Sequence, residues 1–458
     1  MKKQLWAVLA MMLALMMCVP MAAGADEYLR VYEVNEETGE VGAETDSYIE
    51  QSGTYLAEGT SDGDNIKVAN GADVTLILAG VEVVPHGSAA LDCTEAGSLT
   101  LVLADNTENE FIGGKCYAGI QNAGVPLTIM CESVYDGEEN HDCIEENCGF
   151  LYAQGGSFDI YGGAGIGGGM KQEQYESASE GENGRYADGK NITINGGYVV
   201  AQGAFGAAGI GGGNCYENIW RASKEIHHAG DASGIEITGG VVDAYGGEFA
   251  PGIGGAMHTR LLLVGDAVED EDMSDYTGGS ATDIEISGGW VTAIGKMAAG
   301  IGCAYKGDAS GIVISGGNVY AELYQEMGMM SEGGDALAYA PVGNGLGRKG
   351  EKDDVVIEPK SGLCINVYGG GNEDQGDTGA QAAMLAADDG TSDEPFAKVT
   401  TYRDITSEIN GMQWLMTMSE DVAVGAQPST GDGMGVGFWA ALLALSAAAF
   451  AAMKRRMA

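Results

Sequence analysis

The stretch "ITINGGYVVAQGAFGAAGIGGG" (192–213) alternates apolar and polar residues on both sides of a double glycine and closes in a glycine-rich tail. Ile192, Ile194, Val199 and Ala201 stand at every second position, the period of short strands bounded by glycine turns. The pattern recurs. Aligned on the double glycine, "LYAQGGSFDIY" (151–161), "ITINGGYVVAQ" (192–202), "IEITGGVVDAY" (235–245), "IEISGGWVTAI" (284–294) and "IVISGGNVYAE" (312–322) fall into one frame.

In that frame Leu151, Ile192, Ile235, Ile284 and Ile312 share a column, as do Ala153, Ile194, Ile237, Ile286 and Ile314. After the turn Phe158 aligns with Val199, Val242, Val291 and Val319, and Ile160 with Ala201, Ala244, Ala293 and Ala321. A repeat of about 22 residues is the length of one solenoid coil. One coil cannot bury its own apolar face, whereas coils stacked at about 4.8 Å satisfy one another's backbone and build a continuous core. The expected fold is therefore all-β, a right-handed parallel β-helix with these columns pointing inward. The uneven spacing between repeats places insertions such as 214–233 and 256–282 at one corner of the coil, after the glycine tail. The fifth repeat ends in "ELYQEMG" instead of that tail, so the array changes toward its end.

The tail itself has two readings. "AGIGGG" (164–169), "AAGIGGG" (207–213), "APGIGG" (250–255) and "AAGIG" (298–302) resemble phosphate-cradling loops in composition. Such a loop joins one strand to one helix and occurs once, whereas these glycines recur coil after coil with no helical pattern behind them and no "GK[ST]". At a repeated corner glycine supplies positive φ and allows close backbone approach, and the tail is read as punctuation of the fold.

Upstream, "NIKVANGADVTLILAGVEVV" (65–84), "SAALDCTEAGSLTLVLADNTENEFIGG" (88–114) and "YAGIQNAGVPLTIM" (117–130) supply further strands. This region, with its "VTLILAGVEV" and "LTLVLADNTEN", resembles the N-terminal part of a bacterial carbohydrate-binding parallel β-helix family of the polygalacturonate-binding type. The resemblance covers roughly 50–130 closely and the repeats to about 322 in style. It implies binding of an acidic polysaccharide with calcium as the accompanying ion, and it brings no catalytic residues.

Both ends of the chain look like processing signals. Lys2 and Lys3, an apolar run and Ala23-Gly24-Ala25 read as a signal peptide over 1–25. Cys18 offers a lipoprotein alternative, though Met17 precedes it where a small residue is usual. At 427–458 come "QPSTGDG", an apolar run over 434–453 and Lys454, Arg455 and Arg456. That run is long enough to cross a bilayer with its basic end inside. The order resembles the sorting signal of Gram-positive wall proteins, with cleavage between Thr430 and Gly431 by a sortase and transfer to peptidoglycan. Gln427 stands where leucine is usual, which keeps a plain transmembrane anchor as the alternative. Between these ends the expected order is a β-helix over 26–369, an acidic linker over 370–396 and a small cap or stalk element over 397–426. The chain is expected to be exported and held at the cell wall or membrane surface.

With 67 Asp and Glu against 22 Lys and Arg, the net charge is −45, which excludes nucleic acid as a partner. An anionic polysaccharide would also be repelled unless cations bridge it. The candidate calcium ligands are Asp266, Asp270, Asp272 and Asp275 in "GDAVEDEDMSDY", and Asp231 and Asp308 in the twice-used "GDASG". For "GDASG" the competing reading is a turn whose Asp side chain bonds nearby backbone. Candidate sugar contacts are the outward positions of the repeat: Asp159, Asp243 and Tyr320 in one column, Tyr161 and Tyr245 in another, and Tyr198 and Trp290 just after the turn. Aromatic faces stack on sugar C–H faces while carboxylates accept sugar hydroxyls; the competing reading is ordinary strand surface.

Many parallel β-helices cleave pectin, but the six arginines of the exported part (Arg30, Arg185, Arg221, Arg260, Arg348, Arg403) sit in no lyase-like motif, so a non-catalytic role is expected. A protein-binding adhesin using the corner insertions is the alternative function. Cys93, Cys116, Cys131, Cys143, Cys148, Cys215, Cys303 and Cys364 are even in number, which permits disulfides in an exported chain. Within "HDCIEENC" (141–148), His141, Cys143 and Cys148 either close a local loop or offer soft metal ligands.

Overall fold

The computed structural model describes residues 28–137, 143, 148–158, 161–169, 187–214, 229–258, 277–324, 340–344, 355–370, 395, 397–409 and 412–421. The chain winds into a parallel β-helix with three faces. In each turn it passes from a short strand on the third face to the first face, rounds a corner to the second, and returns one level up.

The first face stacks Gly53–Ala57, Val74–Leu78, Leu99–Leu103, Leu127–Cys131, Ile192–Ile194, Ile235–Ile237, Ile284–Ile286, Ile312–Ile314 and Val355–Ile357 in parallel register. The second face stacks Glu82–Val83 on Glu110–Phe111, then Phe150–Gln154, Tyr198–Gln202, Val241–Tyr245, Trp290–Ile294 and Asn318–Glu322. The third is a nine-stranded sheet of very short strands, with Ile66, Leu91, Ile120, Ile166, Ile210, Ile253, Ile301 and Val342 in one inward column. Each of these side chains is completely buried, and burying one contributes about 1.5–3 kcal/mol.

The isoleucine, valine and alanine columns from 192 to 321 stand where their alternation places them. The repeat at 151–161 does not. Leu151 stacks on Val199 and Ala153 on Ala201, so "LYAQ" is a second-face strand. The true partners of Ile192 and Ile194 are Leu127 and Ile129. The reason is that double glycines occur at two corners of the coil: Gly196-Gly197 turns the first face into the second, whereas Gly155-Gly156 follows the second face. Ser157–Phe158 then pairs antiparallel with Tyr161–Gly162 in a small hairpin.

The glycine tails line the third face. Gly167, Gly211, Gly254, Gly302 and Gly343 stack on one another with φ of +134°, +130°, +142°, +136° and +115°. A Cβ on any of the first four would strike the carbonyl oxygen of the glycine one level up. The tail is thus a ladder of close backbone approaches, and its glycines are structural.

The segments between 169 and 187, 214 and 229, 258 and 277, and 344 and 355 all fall at the corner between a third-face strand and the next first-face strand. The insertions expected at 214–233 and 256–282 belong to this corner; their middles lie outside the described residues.

Both ends of the stack are covered by antiparallel strands. Arg30–Val34 pairs with the first coil and with Val41–Thr45. At the other end Trp414–Asp421 pairs with Asn318–Glu322 on one edge and with Leu363–Gly370 on the other, and Arg403–Asp404 pairs with Val356–Ile357. On the first and second faces these antiparallel strands end the parallel ladder and cover edges that would otherwise recruit other strands. Among the described residues no helix is long and apolar enough to cross a membrane. The signal peptide (1–25), nearly all of the acidic linker (370–396), the 434–453 span and Thr430-Gly431 lie outside the described residues.

Candidate functional site

Because side chains alternate along a strand, the second face turns every other residue outward and stacks those residues in three columns. One column runs Glu108, Phe150, Tyr198, Val241, Trp290, Asn318. The next runs Glu82, Glu110, Tyr152, Val200, Asp243, Thr292, Tyr320. The third runs Ile112, Gln154, Gln202, Tyr245, Ile294, Glu322. Six aromatic rings therefore share one outer sheet over five successive coils, with carboxylates at its N-terminal end.

The rings are half-buried against one another and linked by polar contacts. Phe150 and Tyr198 meet edge to face at 5.3 Å and 81°, a favourable aromatic geometry. The Tyr198 hydroxyl donates to Asp243 Oδ2 at 3.0 Å, and Tyr320 donates to Glu322 Oε2 at 2.9 Å. The Tyr152 hydroxyl lies 2.6 Å from Gln154 Oε1 and 3.0 Å from Gln202 Oε1, joining two coils. A phenol that donates to a carboxylate keeps its oxygen lone pairs, and the amides of Gln154 and Gln202 keep N–H donors, so the face presents both acceptors and donors beside its rings.

Burial governs the ionisation of these groups. It pushes Tyr152 up to about 12, helped by the neighbouring Glu110 charge, and it raises Tyr198, Tyr245 and Tyr320, each with an added push from its nearby carboxylate. The phenols are neutral at physiological pH. Asp243 is only 7% exposed, and burial raises its carboxyl above the ordinary range while hydrogen bonds from Tyr198 and Thr292 partly offset the rise.

Of the sugar-contact candidates, Tyr198, Asp243, Tyr245, Trp290 and Tyr320 come together on this face. Tyr161 does not: it sits in the hairpin after the Gly155-Gly156 corner. Asp159 lies outside the described residues. The positions the misaligned repeat assigned to Asp159 and Tyr161 belong to Tyr152 and Gln154. Gln202 stands outward beside Tyr245, as its column predicts, whereas Phe150, Tyr152 and Gln154 went unread. The signal that finds them is "AQG", present at 153–155 and again at 201–203.

The candidate cation ligands separate similarly. Asp266, Asp270, Asp272 and Asp275 lie outside the described residues. Asp231 belongs to a ladder at the insertion corner: its N–H donates to Asp188 Oδ1 at 2.9 Å, its own Oδ1 accepts the Ser280 N–H at 2.8 Å, and Lys190 Nζ stands 2.7 Å from Asp188 and 3.9 Å from Asp231. Asp308 continues the ladder, its carbonyl accepting the Ala281 N–H at 2.8 Å. These aspartates stitch successive coils just before the first-face strands. Among the described residues, the grouping of three or more metal-type ligands is one of thiols, Cys131, Cys143 and Cys148.

Arg30 faces Glu58 in the N-terminal cap and Arg403 forks onto Glu408 in the C-terminal cap, so the two described arginines stand at the ends of the rod. The other four lie outside the described residues.

A family model described as a carbohydrate-binding domain-containing protein matches residues 43–128, and a β-helix repeat model matches residues 192–214, 235–257 and 284–305. No curated protein and no solved structure matches the chain significantly. The first match covers the early coils, including Glu82, Glu108 and Glu110, and the second covers coils bearing Tyr198, Asp243, Tyr245 and Trp290. The two matches point to polysaccharide binding on a β-helix, and the carbohydrate-binding match favours a non-catalytic role.

Proposed function

We propose that the protein binds an acidic polysaccharide, without cleaving it, along the outer surface of the second face. The observation that carries this reading is the in-register display of Phe150, Tyr152, Tyr198, Tyr245, Trp290 and Tyr320 with hydrogen-bonding partners on one sheet. Sugar rings stack on aromatic faces and exchange hydrogen bonds with the flanking amides and carboxylates. A polymer lying along the rod meets equivalent groups at every coil.

Charge decides what else is needed. At net −45 the chain repels an anionic polymer, and Glu82 and Glu110 stack directly on one another at the N-terminal end of the face. Calcium bridging protein and ligand carboxylates relieves both repulsions. The acidic insertion with Asp266, Asp270, Asp272 and Asp275, and the corner aspartates Asp231 and Asp308, are the remaining carboxylates proposed for the ion. Export by the N-terminal signal and sortase-mediated attachment through Thr430 and Gly431 would set the rod at the cell surface, its partners there being peptidoglycan and the polysaccharide.

The gathering of four insertions at one corner supports a second reading, an adhesin that meets proteins through them. A glycan array probed with the full chain, with calcium and then with chelator, separates the two. Saturable binding to an acidic polysaccharide that falls about two- to tenfold in Tyr245→Ala and Trp290→Ala, the worth of one stacking ring, supports the proposal. Absence of glycan binding under both conditions overturns it in favour of the adhesin.

A further inference from the structure

Three cysteines meet where the first face gives way to the second. Cys131 ends the strand Leu127–Cys131 and is completely buried, while Cys143 and Cys148 come back over it half-buried. The three Sγ atoms lie within 4.8 Å of one another, with Cys131 and Cys143 at 3.8 Å. The backbone N–H of Gly197, from the coil above, donates to Cys143 Sγ at 3.2 Å. A Cβ at Gly196 would stand 2.9 Å from Cys131 Sγ, so the coil above packs closely on the cluster.

We propose that Cys131, Cys143 and Cys148 form a three-thiolate site for a soft metal ion, zinc in the first instance. Zinc–sulfur bonds of about 2.3 Å in a tetrahedron put neighbouring sulfurs about 3.8 Å apart, the separation of Cys131 and Cys143. A disulfide needs its sulfurs at about 2.0 Å. An N–H aimed at sulfur stabilises a thiolate, as metal ligation requires, and partners of this kind orient ligands in known sites. A divalent ion draws off the thiol protons as it binds. Three protein ligands leave a fourth position for water or a further donor.

The site also has a mechanical consequence. Cys148 lies two residues before Phe150, whose ring packs on Tyr198, so a metal bound here fixes the start of the aromatic face. The inference stands independently of which polymer, if any, that face binds.

The test is metal content and thiol state of the full chain. Protein incubated with zinc, dialysed and analysed by mass spectrometry for metal is expected to keep one equivalent per chain. Cobalt in its place should give a thiolate-to-cobalt charge-transfer band. Cys148→Ser and Cys143→Ser should lose both signals, and Cys364→Ser, on the strand Leu363–Gly370 far along the rod, should keep both. Circular dichroism on each variant distinguishes loss of metal from loss of fold. Failure to retain zinc, retention unaffected by both substitutions, or a disulfide joining two of the three cysteines in the purified chain would overturn the proposal.

Discussion

Asp243 shows how one residue can serve the core and the surface at once. It replaces an outward neutral side chain in its column, Val200 on one side and Thr292 on the other, and is buried by the tyrosines around it. Its folded carboxyl sits above the ordinary value of 3.8, first because of burial. The native state therefore holds this proton more tightly than the unfolded chain, and the wild type loses stability as pH rises from about 3.8 through the raised value. In Asp243→Asn no such ionisation occurs. Urea unfolding of both proteins across that window should show the variant gaining on the wild type as pH rises; a flat or opposite difference would mean that Asp243 is solvated in the native state. Asn109 breaks a column in the opposite sense. It points inward where Val81, Leu151 and Val199 do, and is tolerated because its Oδ1 accepts the Gly80 and Val81 N–H groups and its Nδ2 donates to Thr107 Oγ1 and the Phe150 carbonyl. Nothing in apolar periodicity marks such a residue, since its fitness depends on backbone groups from two other coils. The inward isoleucines were legible because each repeats in its own coil.

At the scale of the strand and its corner, glycine chemistry separates two kinds of position that the sequence writes alike. Gly254 has φ +142° and faces the Gly302 backbone, so Gly254→Ala should cost about 3 kcal/mol or more, combining strain with a clash against an adjacent coil. Gly71 has φ +75° with open space around it, and Gly71→Ala should cost about 1–2 kcal/mol, the left-handed penalty alone. Chemical denaturation of the two variants checks the difference; equal costs would mean that the third face can spread its coils to admit a methyl group. The same ambiguity explains the misread repeat. "QGGS" at 154–157 and "NGGY" at 195–198 look equivalent, yet the first ends the second face and the second begins it. Which corner a double glycine occupies depends on what it stacks upon, a relation that only three-dimensional register displays. Tyr152 and Gln154 were lost from the candidate site for that reason, and Asp159 and Tyr161 entered it.

For the whole molecule, the decisive property is that the face repeats along the rod. Phe150, Tyr198, Val241, Trp290 and Asn318 mark five successive coils, which at about 4.8 Å per coil span about 19 Å. A ligand lying across the coils would contact one ring and one group of polar side chains whatever its length, whereas a ligand lying along them gains contacts with each added sugar. The antiparallel caps at both ends fix that length, because no further coil can add to it. The acidic Glu82, Glu108 and Glu110 at the N-terminal end give the face a direction and the cation a place to act. The measurement that tests this most directly is the affinity of the full chain for a series of acidic oligosaccharides of increasing length, in calcium, by titration calorimetry. The account predicts that affinity climbs with length until the ligand covers about 19 Å, then levels off, and that Trp290→Ala flattens the climb. Affinity independent of length, or a length dependence unchanged by Trp290→Ala, would contradict a polymer bound along the aromatic face.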